Sequence, residues 1–414
     1  PLLDSSLDLN EVVYHDEPSA IFLGSPSIVR LSSGRLLASH DFFGRGYGSQ
    51  PRNVSVYGSD DGGQSWLFLS YIQHSYWTTL AVYNGTIYAI GTDNDINGNI
   101  IIHRSADNGA SWNYNNSDDG VILFHGSFAT GPTPIVVANQ VMYRAIEYFP
   151  APHRWPADFQ AAIISCNLSS YSSAAADPVM SPSNWRLTPP VVFDKKWLPS
   201  PYPNLTAPGF LEGNVVILSV PPSAGVSQQQ LRVLNVLRFN SDPLANLAII
   251  LELNLTTYTL SFVSLIELPG GLSKFSIRYD PITRTYLTLS NPVTSRTETS
   301  QRNILSLSYT NDVVGLSEWH IISDRLLYDD TGLTENDSLR YTGFQYVDWQ
   351  FDTLSSSVGK ASCIDWNCDG GPDMIYLIRT AYRGANSYHN SNRITYKTLH
   401  NYRALIKHHQ TMSA

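Results

Sequence analysis

Ser59–Trp66 reads SDDGGQSW, and Ser105–Trp112 reads SADNGASW. Both follow S-x-D-x-G-x-x-W. In a β-turn each position has a job. The aspartate carboxylate accepts backbone N–H groups, the glycine supplies a positive φ, and the serine hydroxyl closes the loop. The tryptophan opens the next strand and packs inward. The octads are therefore turn locks, and Asp61 and Asp107 are read as structural residues.

Working outward, the chain is built for strands. Tyr 24, Phe 15 and Trp 9 make it aromatic-rich, Gly 27 and Pro 24 supply turns, and only 15% of the 414 residues are charged. Short alternating runs of Val, Ile, Thr and Tyr dominate, and amphipathic helical windows are almost absent, so the class is all-β. The octads resemble the Asp-box of sialidase-like β-propellers, in which the box joins the third and fourth strands of a blade. Laid on that frame, SPSIVRL, RLLASHD, NVSVYG and WLFLSY form the first unit, and TLAVYNG, TIYAIGT, NIIIHRS and WNYN the second. PIVVANQ, VMYRAIE, AAIISC and NWRLTP follow, then NVVILSV, LRVLNVLRF, LAIILEL and TYTLSFVSL, then KFSIRYD, TYLTLSN, NILSLSYT and EWHIISD. The last unit, FQYVDWQF, MIYLIRTAY and RITYKTL, is one run short. EVVYH, Glu11–His15, supplies the missing strand and closes the ring, leaving no open sheet edge. The expected fold is one β-propeller over 1–414, with six countable four-stranded blades and a frayed tail at 404–414. A seventh blade would have to hide in 191–210 or at a terminus.

Several function classes fall away. A formal net charge of −9 opposes nucleic-acid binding, which needs a basic face to release phosphate counterions. No run of about 18 apolar residues is present, so no membrane helix is expected. The chain starts at Pro1, as after removal of a leader, and N-x-[ST] sequons occur at Asn53, Asn84, Asn115, Asn167, Asn204, Asn254 and Asn336. A secreted, extracellular, glycosylated monomer is expected. SCIDWNCDGGPD reads as a hairpin insertion that a Cys363–Cys368 disulfide would staple, and Cys166, in AAIISCN, reads as a buried inert thiol.

If the boxes mark the floor, the loops between second and third strands and the crossings between blades lie on top. Chemistry collects in such loops on a rigid scaffold. The top segments are ASHDFFGRGYGSQPR (His40, Asp41), YRAIEYFPAPHRWP (Arg144, Glu147), RTAYRGANSYHNSNR (Arg379, Tyr382, His389, Asn392), HSYWT (Trp77), FHGSFATGP (His125) and LEGN (Glu212, Asn214).

Beyond the boxes, GSPSIVRLSSGRLLASHDFFG, GPTPIVVANQVMYRAIE, FLEGNVVI, KFSIRYDP and YVDWQF…RTAYRGANSYHNSNRITY resemble secreted propellers acting on rhamnose–glucuronate caps. These are fungal L-rhamnose-α-1,4-D-glucuronate lyases and related bacterial rhamnosidases and lyases. That resemblance implies seven blades, an anionic oligo- or polysaccharide substrate such as gum arabic, and β-elimination leaving a 4,5-unsaturated uronate. Such chemistry asks for an arginine to neutralise the carboxylate, a base for the C5 proton and an acid for the leaving oxygen. The inventory is Arg144 or Arg379 as neutraliser, His40 or His125 as base, and Tyr382 or the other histidine as acid. Trp77, Glu147, Glu212, Asn214, Arg379, His389 and Asn392 are expected to bind sugar. No cofactor is required, and a structural Ca²⁺ in the central channel is compatible with scattered oxygen ligands.

The alternatives are an α-L-rhamnosidase or other exo-glycoside hydrolase, and a non-catalytic sugar-binding propeller. A sialidase is disfavoured. GSPSIVR stands where an Arg-Ile-Pro segment is expected, and no Tyr–Glu nucleophile pair declares itself in the sequence.

Overall fold

A computed structural model describes residues 9–16, 19–48, 52–112, 119–170, 177–199, 204–220, 230–295, 297–314, 318–329, 331–353 and 364–412. Five sets of four strands follow one another, each a meander from the channel outward. Blade 1 is Ser27–Arg30, Leu36–His40, Val54–Ser59 and Leu67–Ile72; blade 2 is Tyr76–Tyr83, Thr86–Thr92, Gly98–Ser105 and Val121–Ala129. Blade 3 is Val136–Ala138, Val141–Tyr148, Gln160–Asn167 and Trp185–Leu187, and blade 4 is Gly209–Val220, Gln230–Asn240, Leu247–Asn254 and Thr259–Glu267. Blade 5 is Ser276–Asp280, Thr285–Ser290, Ile304–Thr310 and His320–Tyr328. Blade 6 comprises Gly343–Phe351, Met374–Ala381 and Arg393–Leu399, completed on its outer edge by Asn10–Tyr14. The N-terminal strand thus closes the ring, as expected from a last unit one run short.

Each blade is buried on both faces because it is stacked between two others. Second strands such as Leu36–His40 and Met374–Ala381 are buried at every residue. Six hydrophobic clusters fill six interfaces. Val29, Leu37 and Leu80 lie between blades 1 and 2, Ile90, Ile102 and Met142 between 2 and 3, and Tyr143, Val215 and Val233 between 3 and 4. Leu234, Ile277 and Tyr286 join blades 4 and 5, Leu287, Phe344 and Trp349 join 5 and 6, and Leu36, Ala38, Ile375 and Leu377 join 6 and 1.

Polar bonds between the first two strands of neighbouring blades complete the circuit. Leu80 N donates to Ser27 Oγ, Arg144 to Thr79 Oγ1 and Gly213 N to Glu147 Oε1. Ile277 N donates to Asn214 Oδ1, Trp349 Nε1 to Ser276 O and Ile28 N to Asp348 Oδ2.

Both octads form the turns expected of them. Asp61 accepts from Ser59 Oγ, Gln64 N, Ser65 N and Ser65 Oγ, which holds its carboxyl well below the usual range. Asp107 accepts from Ser105 Oγ, Ser111 N and Ser111 Oγ at 2.6–2.9 Å. Gly63 (φ +93°) packs so tightly on Tyr396 that a Cβ would overlap its ring. Trp112 is buried, whereas Trp66 is half-buried against Tyr396.

Three expectations change. The fourth strand of blade 2 is Val121–Ala129; of the run WNYN expected there, all but Trp112 lies outside the described residues. The tail expected to fray forms the helix Tyr402–Met412, which buries Tyr402, Leu405 and Ile406 against blades 5 and 6; Arg403 anchors it on Asp280 and Asp369. Among the described residues there is no seventh blade. Among the described residues of 191–208, only Val191–Val192 forms a strand, and it pairs with blade 3.

The insertion between the first two strands of blade 6 also has an unforeseen job. Ile364 O accepts from Val137 N, and Trp366 N donates to Val137 O, so the segment crosses the channel floor to blade 3. Cys368 is disulfide-bonded and Cys166 is a free thiol pushed up to about 12 by burial; Cys363 lies outside the described residues. Sequon residues Asn84, Asn167, Asn204, Asn254 and Asn336 are exposed and Asn53 is half-buried, while Asn115 lies outside the described residues. No helix is long and apolar enough to cross a membrane.

Candidate functional site

The top of the channel departs from regular β-structure in a repeated way. In blades 2, 4 and 6 the pairing of the first two strands slips once, between Tyr76 and Thr79, between Leu211 and Asn214, and between Gln345 and Asp348. Each slip holds one non-glycine residue at positive φ: Trp77 (+46°), Glu212 (+54°) and Tyr346 (+53°). That conformation costs on the order of 1–3 kcal/mol at each residue, and such strain collects where side chains must be re-aimed. Three alternate blades therefore turn three chemically rich side chains at one opening.

Two of them meet. Tyr346 Oη donates to Glu212 Oε1 at 2.6 Å, and Arg238 Nη1 donates to Glu212 Oε2 at 2.8 Å. Arg238 faces Leu211 across the blade 4 register, and Arg379 faces Gln345 in blade 6. The two arginines thus occupy equivalent positions beside equivalent bulges. Arg379 stacks over Tyr346 at 4.9 Å and over Phe43 at 4.2 Å, and is anchored through His389 O. Arg302, from the top loop of blade 5, is depressed to about 10 by burial and then by the charge of Arg238. Burial and the Glu212 charge push the Tyr346 phenol up to about 12. His389 stands at this rim with its ring edge on Phe43, held near 4 by desolvation and then by Arg379, Arg302 and Arg238.

Two further acids flank the cluster. Asp41 accepts from Ser25 N at 2.7 Å and Trp77 N at 2.9 Å, yet burial lifts it to about 6. Gly24 is required there, because a Cβ would lie 1.7 Å from Asp41 Oδ1. Glu147 accepts from Gly213 N at 2.9 Å and leaves Oε2 buried without a partner. Burial, with the Glu212 charge behind it, raises Glu147 to about 8, so it is protonated at neutral pH.

Lys274 lies beneath, donating to Ser276 Oγ and to Val347 O, the carbonyl next to Tyr346. Three guanidinium groups converging on this opening make it locally cationic in an otherwise acidic protein. Such a site recruits anions, and arginine suits carboxylates because of its planar fork of donors.

The structure brings Trp77, Glu147, Glu212, Arg379 and His389 to this opening. Other candidates it sends elsewhere. His125 is exposed on the outer strand of blade 2, away from the channel, because Val121–Ala129 is itself the fourth strand rather than a crossing to the next blade. His40 is buried between the rings of Phe42 (4.8 Å) and Tyr57 (5.7 Å), facing blade 6, and desolvation lowers it to about 4.

Arg144 is committed to holding blades together. It donates to the carbonyl oxygens of Ile90, Trp77 and Gly131 and to Thr79 Oγ1. Tyr382 packs in the core between blades 5 and 6. Asn214 ties blade 4 to blade 5, and Asn392 pins the backbone of Tyr382 through both its amide atoms.

The reading of the sequence missed Tyr346, Arg238 and Arg302, and listed Asp41 without a role. A signal was present for two of these. GFQYVD and GFLEGN occupy the same place in the blade frame, so Tyr346 answers Glu212 and Arg379 answers Arg238. Among the described residues, no group of three His, Cys, Asp or Glu is placed to hold a metal ion.

No family model and no curated protein sequence matches the chain. Among solved structures, a protein of unknown function from Dyadobacter fermentans DSM 18053 is similar over 94% of this chain and 97% of that one. Its TM-score is 0.52 at 12% identity. An α-L-arabinanase from Penicillium chrysogenum, complexed with arabinobiose, is similar over 95% of this chain and 98% of that one, with a TM-score of 0.46 and 15% identity. Trypanosoma rangeli sialidase is similar over 91% of this chain but 54% of its own, with a TM-score of 0.49 and 13% identity. At such identities the likeness concerns the fold, and function has to be argued from the site.

Proposed function

We propose that this propeller is a secreted glycan-processing enzyme that takes a terminal, carboxylate-bearing sugar at the top of the channel and cleaves its glycosidic bond through Tyr346. One observation carries the reading: the Tyr346 hydroxyl bonded to Glu212 at 2.6 Å inside a set of three arginines. The arginines bind and orient the carboxylate. Tyr346 attacks the anomeric carbon while Glu212 takes the phenolic proton. Asp41, lifted to about 6, gives a proton to the leaving oxygen. Water then attacks the glycosyl-tyrosine, returning the proton to Asp41 and the phenolic proton from Glu212 to Tyr346. A neutral phenol approaches an anionic sugar without the repulsion that a carboxylate nucleophile would meet. Retention of anomeric configuration follows from the two displacements. Five exposed sequons support secretion.

β-Elimination from a rhamnose–glucuronate cap is the second reading, favoured by the same guanidinium cluster. Neutralising the uronate carboxylate is what makes its C5 proton removable, and Tyr346, relayed by Glu212, would be the base in place of His40 or His125. Incubation with gum arabic separates the outcomes. A free acidic sugar with no ultraviolet signal supports hydrolysis through Tyr346. Rhamnose accompanied by the absorbance of an unsaturated uronate supports elimination, and rhamnose without it supports a rhamnosidase. No release from gum arabic or other uronate-capped glycans contradicts an enzymatic role.

A further inference from the structure

The loop between the second and third strands of blade 3 presents Trp155, which is 54% exposed, beside the arginine cluster. It is the only tryptophan among the large hydrophobic residues exposed in the described part of the chain. The Arg238 guanidinium lies over its ring at 5.6 Å from the centroid, and the same guanidinium holds Glu212.

More than half of Trp155 is open to solvent, yet the loop beneath it is tightly fixed. Phe149 and Phe159, at the two ends of the loop, stack at 4.0 Å and 10°, and His153 packs on Phe149 at 5.0 Å. Asp158 accepts from Arg154 N at 2.7 Å and from its guanidinium at 2.8 Å. The backbone of Pro156 is pressed onto Gly209 at the start of blade 4, where a Cβ would come within 2.4 Å of Pro156 O. An exposed tryptophan on a braced loop is an unusual use of a large apolar surface, since burial normally rewards it.

Resting on the reading of the arginine cluster as the seat of an acidic sugar, we propose that Trp155 is the platform on which the neighbouring sugar of the glycan stacks. The acidic sugar sits over Tyr346, and the next residue of the chain, on the leaving-group side, lays its apolar C–H face on the indole. The cation over the other face of the ring orients it, so little side-chain freedom is lost when sugar arrives. The site then recognises a disaccharide: carboxylate on arginine, neighbour on tryptophan.

Equilibrium binding tests this without requiring turnover. Calorimetry on the Tyr346→Phe variant is compared with Tyr346→Phe/Trp155→Ala, using acid-released gum arabic oligosaccharides and, separately, D-glucuronate. The expected result is a loss of about 10- to 100-fold for the oligosaccharides, the size typical of a truncated aromatic anchor, with D-glucuronate affinity within threefold. Trp155→Tyr is expected to restore most of the loss. Equal weakening of both ligands would mean that Trp155 only supports the loop, and unchanged or undetectable oligosaccharide binding would equally overturn the platform. Failure of the catalytic reading would appear elsewhere, as absent product release from gum arabic by the unmodified protein.

Discussion

At the scale of single residues, the account rests on how Tyr346 and Glu212 share a proton. Removing the phenolic oxygen in Tyr346→Phe takes away the attacking atom while leaving the ring that Arg379 stacks on. The expected outcome is a fall in kcat/KM of about 10³-fold or more with the melting temperature retained, in the range seen when a catalytic nucleophile is removed. Glu212→Gln should lose activity to a similar extent, since the amide cannot take the proton. Turnover assays beside thermal melts check both. Glu147 makes a prediction about pH. Its folded value near 8 lies above the free value of 4.5, because burial disfavours the charge. The stability gained from holding it protonated is complete below pH about 4.5 and is lost as pH climbs towards about 8. The melting temperature should fall across that window, and Glu147→Gln, which cannot ionise, should flatten the fall. A slope that survives in Glu147→Gln would show that other groups govern it.

At the scale of elements, two devices divide the labour between the ends of the blades. The boxes at the floor are stabilising turns remote from the site. Asp107→Ala strips three hydrogen-bond acceptor contacts from the second box, so it should lower the melting temperature by a few degrees and leave kcat/KM unchanged. The bulges at the top are the functional counterpart, each spending backbone strain to aim one side chain. The boxes and the four-run rhythm were legible in the sequence because turn chemistry and period-two alternation are local. Glu212, Trp77, Glu147 and Arg379 were legible as polar or aromatic residues at strand ends facing the top. Tyr346 and Arg238 were not, because alternation marks them as ordinary strand positions and only a bulge, which shifts the alternation, turns Tyr346 inward. His40 and Arg144 looked chemical for the same reason in reverse. Their types suggest catalysis, but one is packed between rings and the other spends its terminal nitrogens on three backbone carbonyls and the Thr79 hydroxyl. His125 was read into a crossing between blades, whereas it lies on the outer strand Val121–Ala129.

At the scale of the whole molecule, closure and polarity decide where chemistry happens. Asn10–Tyr14 pairs with Arg393–Leu399, so the first residues of the chain seal its last blade. Deleting residues 1–16 should expose that edge, lowering the melting temperature and promoting aggregation, which light scattering would report. The floor is crossed by Ile364–Trp366, while the ceiling gathers residues from all six blades around one opening. The most direct test of that arrangement is to trap the reaction there. A 2-fluoro glycosyl fluoride carrying a carboxylate, incubated with the protein and followed by peptide mass spectrometry, is predicted to leave a covalent sugar on Tyr346, within the strand Gly343–Phe351. Labelling of a carboxylate instead, or turnover that yields only an unsaturated uronate and no adduct, would contradict the assignment of Tyr346 as nucleophile.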